Sequence, residues 1–364
     1  MSILQNLFGS KDKQIKTYSD FWIWFQKNER KFYNVVKLHK NLESDFFDPL
    51  SSKLGELKDG YFFLTGMFDD NTAELVITPD GNIKNVVFVE EIIAASPVIK
   101  GWRFTALKPE MDIKDVSIRM AGYEFNSENL FFYSNDILNS PDEIDITLIH
   151  KDYKEEDKSI IINGTYIFLD NFLGELNSIT TIDNLTITSI NEAKKDLIPI
   201  EKLKAYLIWR QKEFSEKYDG IRYNIENDSY SGLEAELNNG LPLIAVVNTT
   251  LLDWDRKASH PWIASVEIKY QGENNNGMPD DATYQRLNEI EDELMKELLD
   301  YDGYLNIGRQ TADNAREIYF ACKDFRKPSK IFHQLIKDNL DGYEITYDIY
   351  KDKYWKTFNR FKTN

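Results

Sequence analysis

The densest group of side chains capable of chemistry lies between Asp253 and Trp262, where Asp253, Trp254, Asp255, Arg256, His260 and Trp262 follow one another closely. Two carboxylates and an imidazole at this spacing supply oxygen and nitrogen ligands for a divalent cation, or an acid and a base for proton transfer. On that chemistry Asp253, Asp255 and His260 would centre a metal-dependent hydrolase. Asp253, Trp254, Asp255, His260 and Trp262 together form the candidate binding site. The competing reading carries more weight: two carboxylates one residue apart in a loop commonly make a turn and a solvated surface, with the tryptophans packed back on the core.

Other catalytic patterns lack support. The four histidines, His39, His150, His260 and His333, show no zinc-binding spacing, and there is no GxGxxG, no phosphate-binding loop and no GxSxG elbow. No cofactor is expected. The single cysteine, Cys322, rules out a disulfide within the chain and reads as a small buried hydrophobe. Glu90 and Glu91 are adjacent on an expected helix, share no face, and fit a first turn favoured by the helix dipole. Tyr61, Phe62 and Phe63 with Trp102 and Phe104 would make an aromatic pocket or, more simply, core.

The elements that position the 253–262 loop are clearest on its C-terminal side. Trp262, Ala264, Val266, Ile268 and Tyr270 alternate with mostly polar residues, which predicts a strand with one buried face. Pro279, Asp280 and Asp281 then open a helix whose stripe is Leu287, Ile290, Leu294 and Leu298, and Gly303 follows its end. Two β-rich runs, 304–310 and 316–325, flank a turn-prone TADNA and predict a hairpin. A second helix opens at Pro328 and Ser329, with Ile331, Phe332, Leu335, Ile336 and Leu340 as its stripe, and closes at Asp341 and Gly342. The run 343–350 is the last strand. The order βαββαβ, with helices on one face of an antiparallel sheet, is the ferredoxin-like plan.

The residues from about Leu241 to Tyr350, including HPW at 260–262, the segment GMPDDATYQRLNEIEDEL and REIYF, resemble the bacterial domain-of-unknown-function family six-nine-five. That family is in turn similar in plan to the regulator of ribonuclease activity B group, ferredoxin-like proteins that act by binding rather than by chemistry. The resemblance implies a binding role and carries over no functional residue.

The N-terminal half predicts further α+β structure. Phe21, Trp22, Phe25, Phe32, Tyr33 and Val36 have helical spacing with Ser19 as N-cap, and a second helix is expected over 44–57. Strands are predicted at 61–68, 73–79 and 83–89 as an antiparallel meander, then at 101–109, 130–136, 143–150 and 159–170. A short helix at 169–176 and a strand at 184–190 follow. The expected division is an α+β region over 1–198, of one or two subdomains, a connecting helix over 199–220, and the ferredoxin-like domain over 221–364.

Charge supplies the remaining signal. There are 44 basic and 61 acidic residues, a formal net charge of −17. Such a field disfavours non-specific nucleic-acid binding and suits an acidic face docked on a basic protein partner, with inhibitor or immunity proteins as one form of such a regulator. No apolar run is long enough to span a bilayer, and Ile3, Leu4, Leu7 and Phe8 read as a frayed or packed terminus. With no standard secretion signal, a cytoplasmic location is expected.

Overall fold

The computed structural model of the chain describes residues 14–338 and 342–362, so the expected roles of Ile3, Leu4, Leu7, Phe8, Leu340 and Asp341 fall outside the described residues. Mixed helices and sheets give an α+β protein. The chain divides into two compact units, one of residues up to Met111 with Leu173–Leu176, the other of Asp112–Phe172 with the chain from Asn177 onward.

The first unit begins with α1 (Tyr18–Leu38), capped by Thr17, whose side chain accepts from the Asp20 backbone N–H, two residues before the expected Ser19. Phe21, Trp22, Phe25, Phe32 and Val36 are buried on its inner face. A π-helical turn over Glu43–Phe47 leads into α2 (Asp48–Gly55), where a helix was expected. The sheet has β1 (Phe62–Asp69) antiparallel to β2 (Thr72–Thr78), and β3 (Trp102–Ala106) parallel to β2.

Parallel neighbours need a crossover. It is supplied by α3 (Val86–Ala94), so the strand expected at 83–89 is instead a 3₁₀ turn over Ile83–Asn85 and the first half of this helix. A short continuous apolar run does not distinguish a buried strand from a buried helix, and Val86, Val87, Phe88, Val89 and Ile92 are all buried here. Glu90 and Glu91 therefore sit at and just past the middle of α3 and not in a dipole-favoured first turn. Trp102 and Phe104 pack on α1, with ring centroids 5.0 and 5.4 Å from Phe25, whereas Phe62 is exposed, so the five aromatics form no common pocket.

In the second unit, β4 (Ile118–Met120) and β5 (Tyr123–Phe125) form a hairpin. A four-stranded sheet follows in the order β8-β7-β6-β9, built from β6 (Leu130–Asn135), β7 (Asp145–His150), β8 (Asn184–Thr188) and β9 (Ile198–Pro199). Strands β7 and β8 are parallel, and the intervening chain holds α4 (Lys158–Leu173) and α5 (Glu175–Thr181). The strand expected over 159–170 is thus helical, for the same reason as α3. Helix α6 (Leu203–Tyr218) occupies the expected connecting segment.

The larger sheet of this unit is six-stranded and antiparallel, in the order β10-β11-β13-β14-β12-β15. Its strands are β10 (Tyr230–Glu236), β11 (Pro242–Asn248), β12 (Trp262–Lys269), β13 (Tyr304–Ala312), β14 (Ala315–Cys322) and β15 (Glu344–Lys351). Between them lie α7 (Thr249–Asp253), α8 (Asp281–Glu297) and α9 (Arg326–Lys337). The βαββαβ order read from sequence is present from β12 to β15, and the hairpin β10–β11 adds two strands beside β13. The β13–β14 turn is made by Asp313 and Asn314, both at positive φ, within the expected TADNA.

Alternation gives this sheet two different faces. Ala245, Val247, Ile263, Leu305, Ile307, Tyr319 and Ala321 point to one core, which Leu251, Leu252, Trp355, Phe358 and Phe361 close. The other face carries α8 and α9, where Phe332 of α9 packs on Phe320 and Tyr347. One irregularity redirects a charged side chain: register shifts between Asn306 and Gly308, so Gly308 faces Tyr319 and Arg309 faces Ile318. Without that bulge Arg309 would continue the parity of Leu305 and Ile307; the extra residue turns it to the helix side.

An ionic network, buried around Asp183 and Lys353, links the four-stranded and six-stranded sheets of this unit. Asp183 pairs with Lys351 Nζ at 2.5 Å and Lys353 Nζ at 2.7 Å, and Lys356 reaches Glu143 at 2.6 Å. Asp142 accepts from Lys217, Tyr218 and Tyr354 at 2.7–2.9 Å. Burial pulls Lys351 down to about 8 against the attraction of Asp183.

Candidate functional site

The 253–262 loop is organised by hydrogen bonds that hold its backbone and by aromatic rings that fill the space beneath it. Asn248 caps α7, its side chain accepting from the Leu251 N–H and donating to Asp228 at 2.7 Å. Asp253 and Asp255 emerge into solvent on either side of Trp254. The Trp254 ring lies 4.8 Å from Tyr223, 5.5 Å from His260 and 6.1 Å from Trp355. Trp355 donates its indole N–H to the His260 carbonyl at 2.9 Å.

His260 itself is closed off from solvent. Ser259 Oγ donates to the Arg256 carbonyl at 2.7 Å, which assigns the proton between Ser259 and His260, 2.8 Å apart, to Nδ1 of the imidazole. Its Nε2 is buried with no hydrogen-bond partner. Burial, with Lys323 and Arg222 adding to it, holds the imidazole at about 3, so it is neutral at physiological pH.

The five residues singled out from the sequence are therefore dispersed. Trp254 and His260 sit over the aromatic core, Asp253 and Asp255 face water, and Trp262 points to the opposite sheet face, against Phe325 at 4.9 Å. Among the described residues no group of three or more His, Cys, Asp and Glu side chains is placed to hold a metal ion. The metal-dependent reading of Asp253, Asp255 and His260 thus lacks a ligand set: the end of α7 and the chain after it leave the carboxylates in solvent, and Trp254 and Trp355 close the imidazole in. Burial also pushes the Cys322 thiol well up, leaving no nucleophilic thiolate there.

Polar groups do converge on the helix side of the same sheet. Arg309 pairs with Glu291 of α8 at 2.9 Å, and Asn306 donates to the other oxygen of Glu291 at 3.3 Å. Arg316, almost fully buried, donates through Nε to Thr311 and through Nη1 to Asn288. Its guanidinium lies 5.1 Å from the Tyr284 ring. Sequence reasoning passed over these residues. One signal for Arg316 was present, since it shares the parity of Ile318 and Phe320 on an apolar strand face; none existed for Arg309, whose direction is set by the bulge.

Helices α8 and α9 also bound a groove of about 550 Å³. Ile290, Leu294, Ile331, Leu335 and Ile345 form its apolar lining, and Glu293, Glu297 and Asp338 lie at its edge with Arg286 and Lys296. The outer face of α8 is mainly acidic, with Glu289, Asp292, Glu293 and Glu297 exposed.

The fold is that of an α+β protein. Residues 232–361 match a family of unknown function (DUF695), and residues 1–231 are left unassigned. No curated protein and no solved structure matches the chain. Among the described residues no helix is long and apolar enough to cross a membrane.

Proposed function

We propose that the protein is a non-catalytic binding or regulatory protein that engages a basic protein partner through its C-terminal domain, read as a ferredoxin-like unit extended by β10 and β11. The observation that carries this reading is the α8–α9 groove. An apolar floor beside Glu293, Glu297 and Asp338 suits an amphipathic segment whose apolar side enters the groove and whose lysines or arginines meet the rim. The net charge of −17 adds long-range attraction for such a partner and repels polyphosphates.

The full chain used as bait against its own cell lysate, at low and high salt, tests this. A basic protein held at low salt and released at high salt is expected, and Glu293→Lys with Glu297→Lys should abolish its capture. Capture unaffected by salt and by both substitutions would refute the acidic-groove reading.

A further inference from the structure

We propose that the crevice beside the N-terminal end of α8, over β11, β13 and β14, is a binding site for a small organic anion carrying one carboxylate on an apolar body. The crevice measures about 240 Å³, roughly eight water volumes at about 30 Å³ each. It is separate from the α8–α9 groove, and either reading can fail without the other.

Four apolar side chains, Ile244, Val246, Met278 and Pro279, line one part of it, and Arg309, Arg316 and Tyr284 bring polar groups to the rest. The hairpin β10–β11 makes this possible. It widens the sheet beyond β13, and Ile244 on the helix side of β11 remains 42% exposed.

The charge balance argues for an anion. Arg309 has Glu291 as its partner, but the hydrogen bonds of Arg316 run to the neutral oxygens of Thr311 and Asn288. Among the described residues Arg316 has no ion-pair carboxylate, although it is 1% exposed. A buried guanidinium with five donors is costly when the only carboxylate that acts on it from within the domain, Glu291, is already paired to Arg309, and a carboxylate entering the crevice would reduce that cost. The field is positive at the Tyr284 hydroxyl as well: hydrogen bonds from Asn288 and Arg309 pull it below its ordinary value, against burial. Asp281 at the mouth sets the limit. Its carboxylate repels a second negative charge, which favours a monocarboxylate over phosphate or a dicarboxylate.

The probe is 3-phenylpropanoate, titrated calorimetrically into the full chain beside 3-phenylpropan-1-ol and inorganic phosphate. Saturable binding of the carboxylate is expected, with the alcohol and phosphate at least about tenfold weaker because neither combines the charge with the apolar body. Ile244→Glu, at an exposed position, should abolish binding by placing a like charge in the crevice, and Arg316→Met should do so by removing the guanidinium. Should Arg316→Met not fold, Ile244→Glu decides alone. No saturable binding of the carboxylate, equal binding of the alcohol, preference for phosphate, or full binding by Ile244→Glu would each overturn the proposal.

Discussion

Replacing Gly308 with alanine probes the link between backbone and site at its narrowest point. Gly308 has φ +133°, and a Cβ there would stand 2.2 Å from the Val246 carbonyl oxygen and 2.8 Å from the Val247 Cα. Ordinary C···O contacts begin at about 3.3 Å, so β11 and β13 would have to part by roughly 1 Å where Val247 faces Gly308 and Val246 faces Arg309. The unfavourable φ costs about 1–2 kcal/mol, and one or two weakened ladder bonds cost about 1 kcal/mol each. The expected loss is about 2–4 kcal/mol, a large share of a typical total stability. Urea unfolding gives the magnitude, and hydrogen exchange at the amides of 243–248 shows where the structure opens. Gly232→Ala is the control: it lies in β10 with nothing within 4 Å of the added Cβ and should be neutral or slightly stabilising. A Gly308→Ala protein within about 0.5 kcal/mol of wild type, with unchanged exchange in β11, would refute the bulge argument.

Buried polar groups give two further expected outcomes. Glu175, fully buried, accepts from Thr78 Oγ1 at 2.6 Å and from the N–H groups of Gly81 at 2.8 Å and Lys108 at 3.0 Å; Glu175→Ala strands three donors at about 1–3 kcal/mol each. Part of that will be recovered by water, so a loss of about 3–5 kcal/mol is expected, seen as faster exchange at Gly81 and Lys108, and unchanged exchange there would sink the idea. His260 is held at about 3 in the folded protein against an ordinary 6.5, so the unfolded chain binds a proton that the folded chain refuses. Its contribution is complete above pH 6.5 and is lost as pH falls towards 3, with a limiting slope of about 1.4 kcal/mol per pH unit. His150, also lowered by burial, acts in the same direction. Melting curves between pH 7 and 5 should therefore show a smaller pH slope in His260→Gln than in wild type, and equal slopes would contradict the assignment.

How much of this was legible in the chain depends on the distance over which each feature is decided. The βαββαβ succession from Trp262 to Tyr350 was readable because each element carries its own period, cap and turn, such as Pro279 before α8 and the Asp313–Asn314 turn. The segments around Val86 and Ile161 were misread as strands. Their apolar runs satisfy either structure, and what makes them helical is that β2 pairs in parallel with β3 and β7 with β8, a pairing between distant segments that demands a crossover.

The candidate site divides along the same line. Proximity in sequence grouped Asp253, Asp255 and His260, but the end of α7 and the chain after it leave the carboxylates in water, and the Trp254 and Trp355 rings seal the imidazole in a place where it stays neutral. Arg309 joins Arg316, Tyr284 and Glu291 only because a one-residue bulge reverses its side chain, and two added strands extend the sheet beside them. In the same way Glu143 and Asp183 meet lysines from 351 to 356, and Asp142 meets Lys217, across the second unit. Composition, charge sign and local periodicity were fixed by the sequence itself, since each acts within a few residues. Which charged groups share a pocket was decided by register and strand order, which exist only once distant segments have paired.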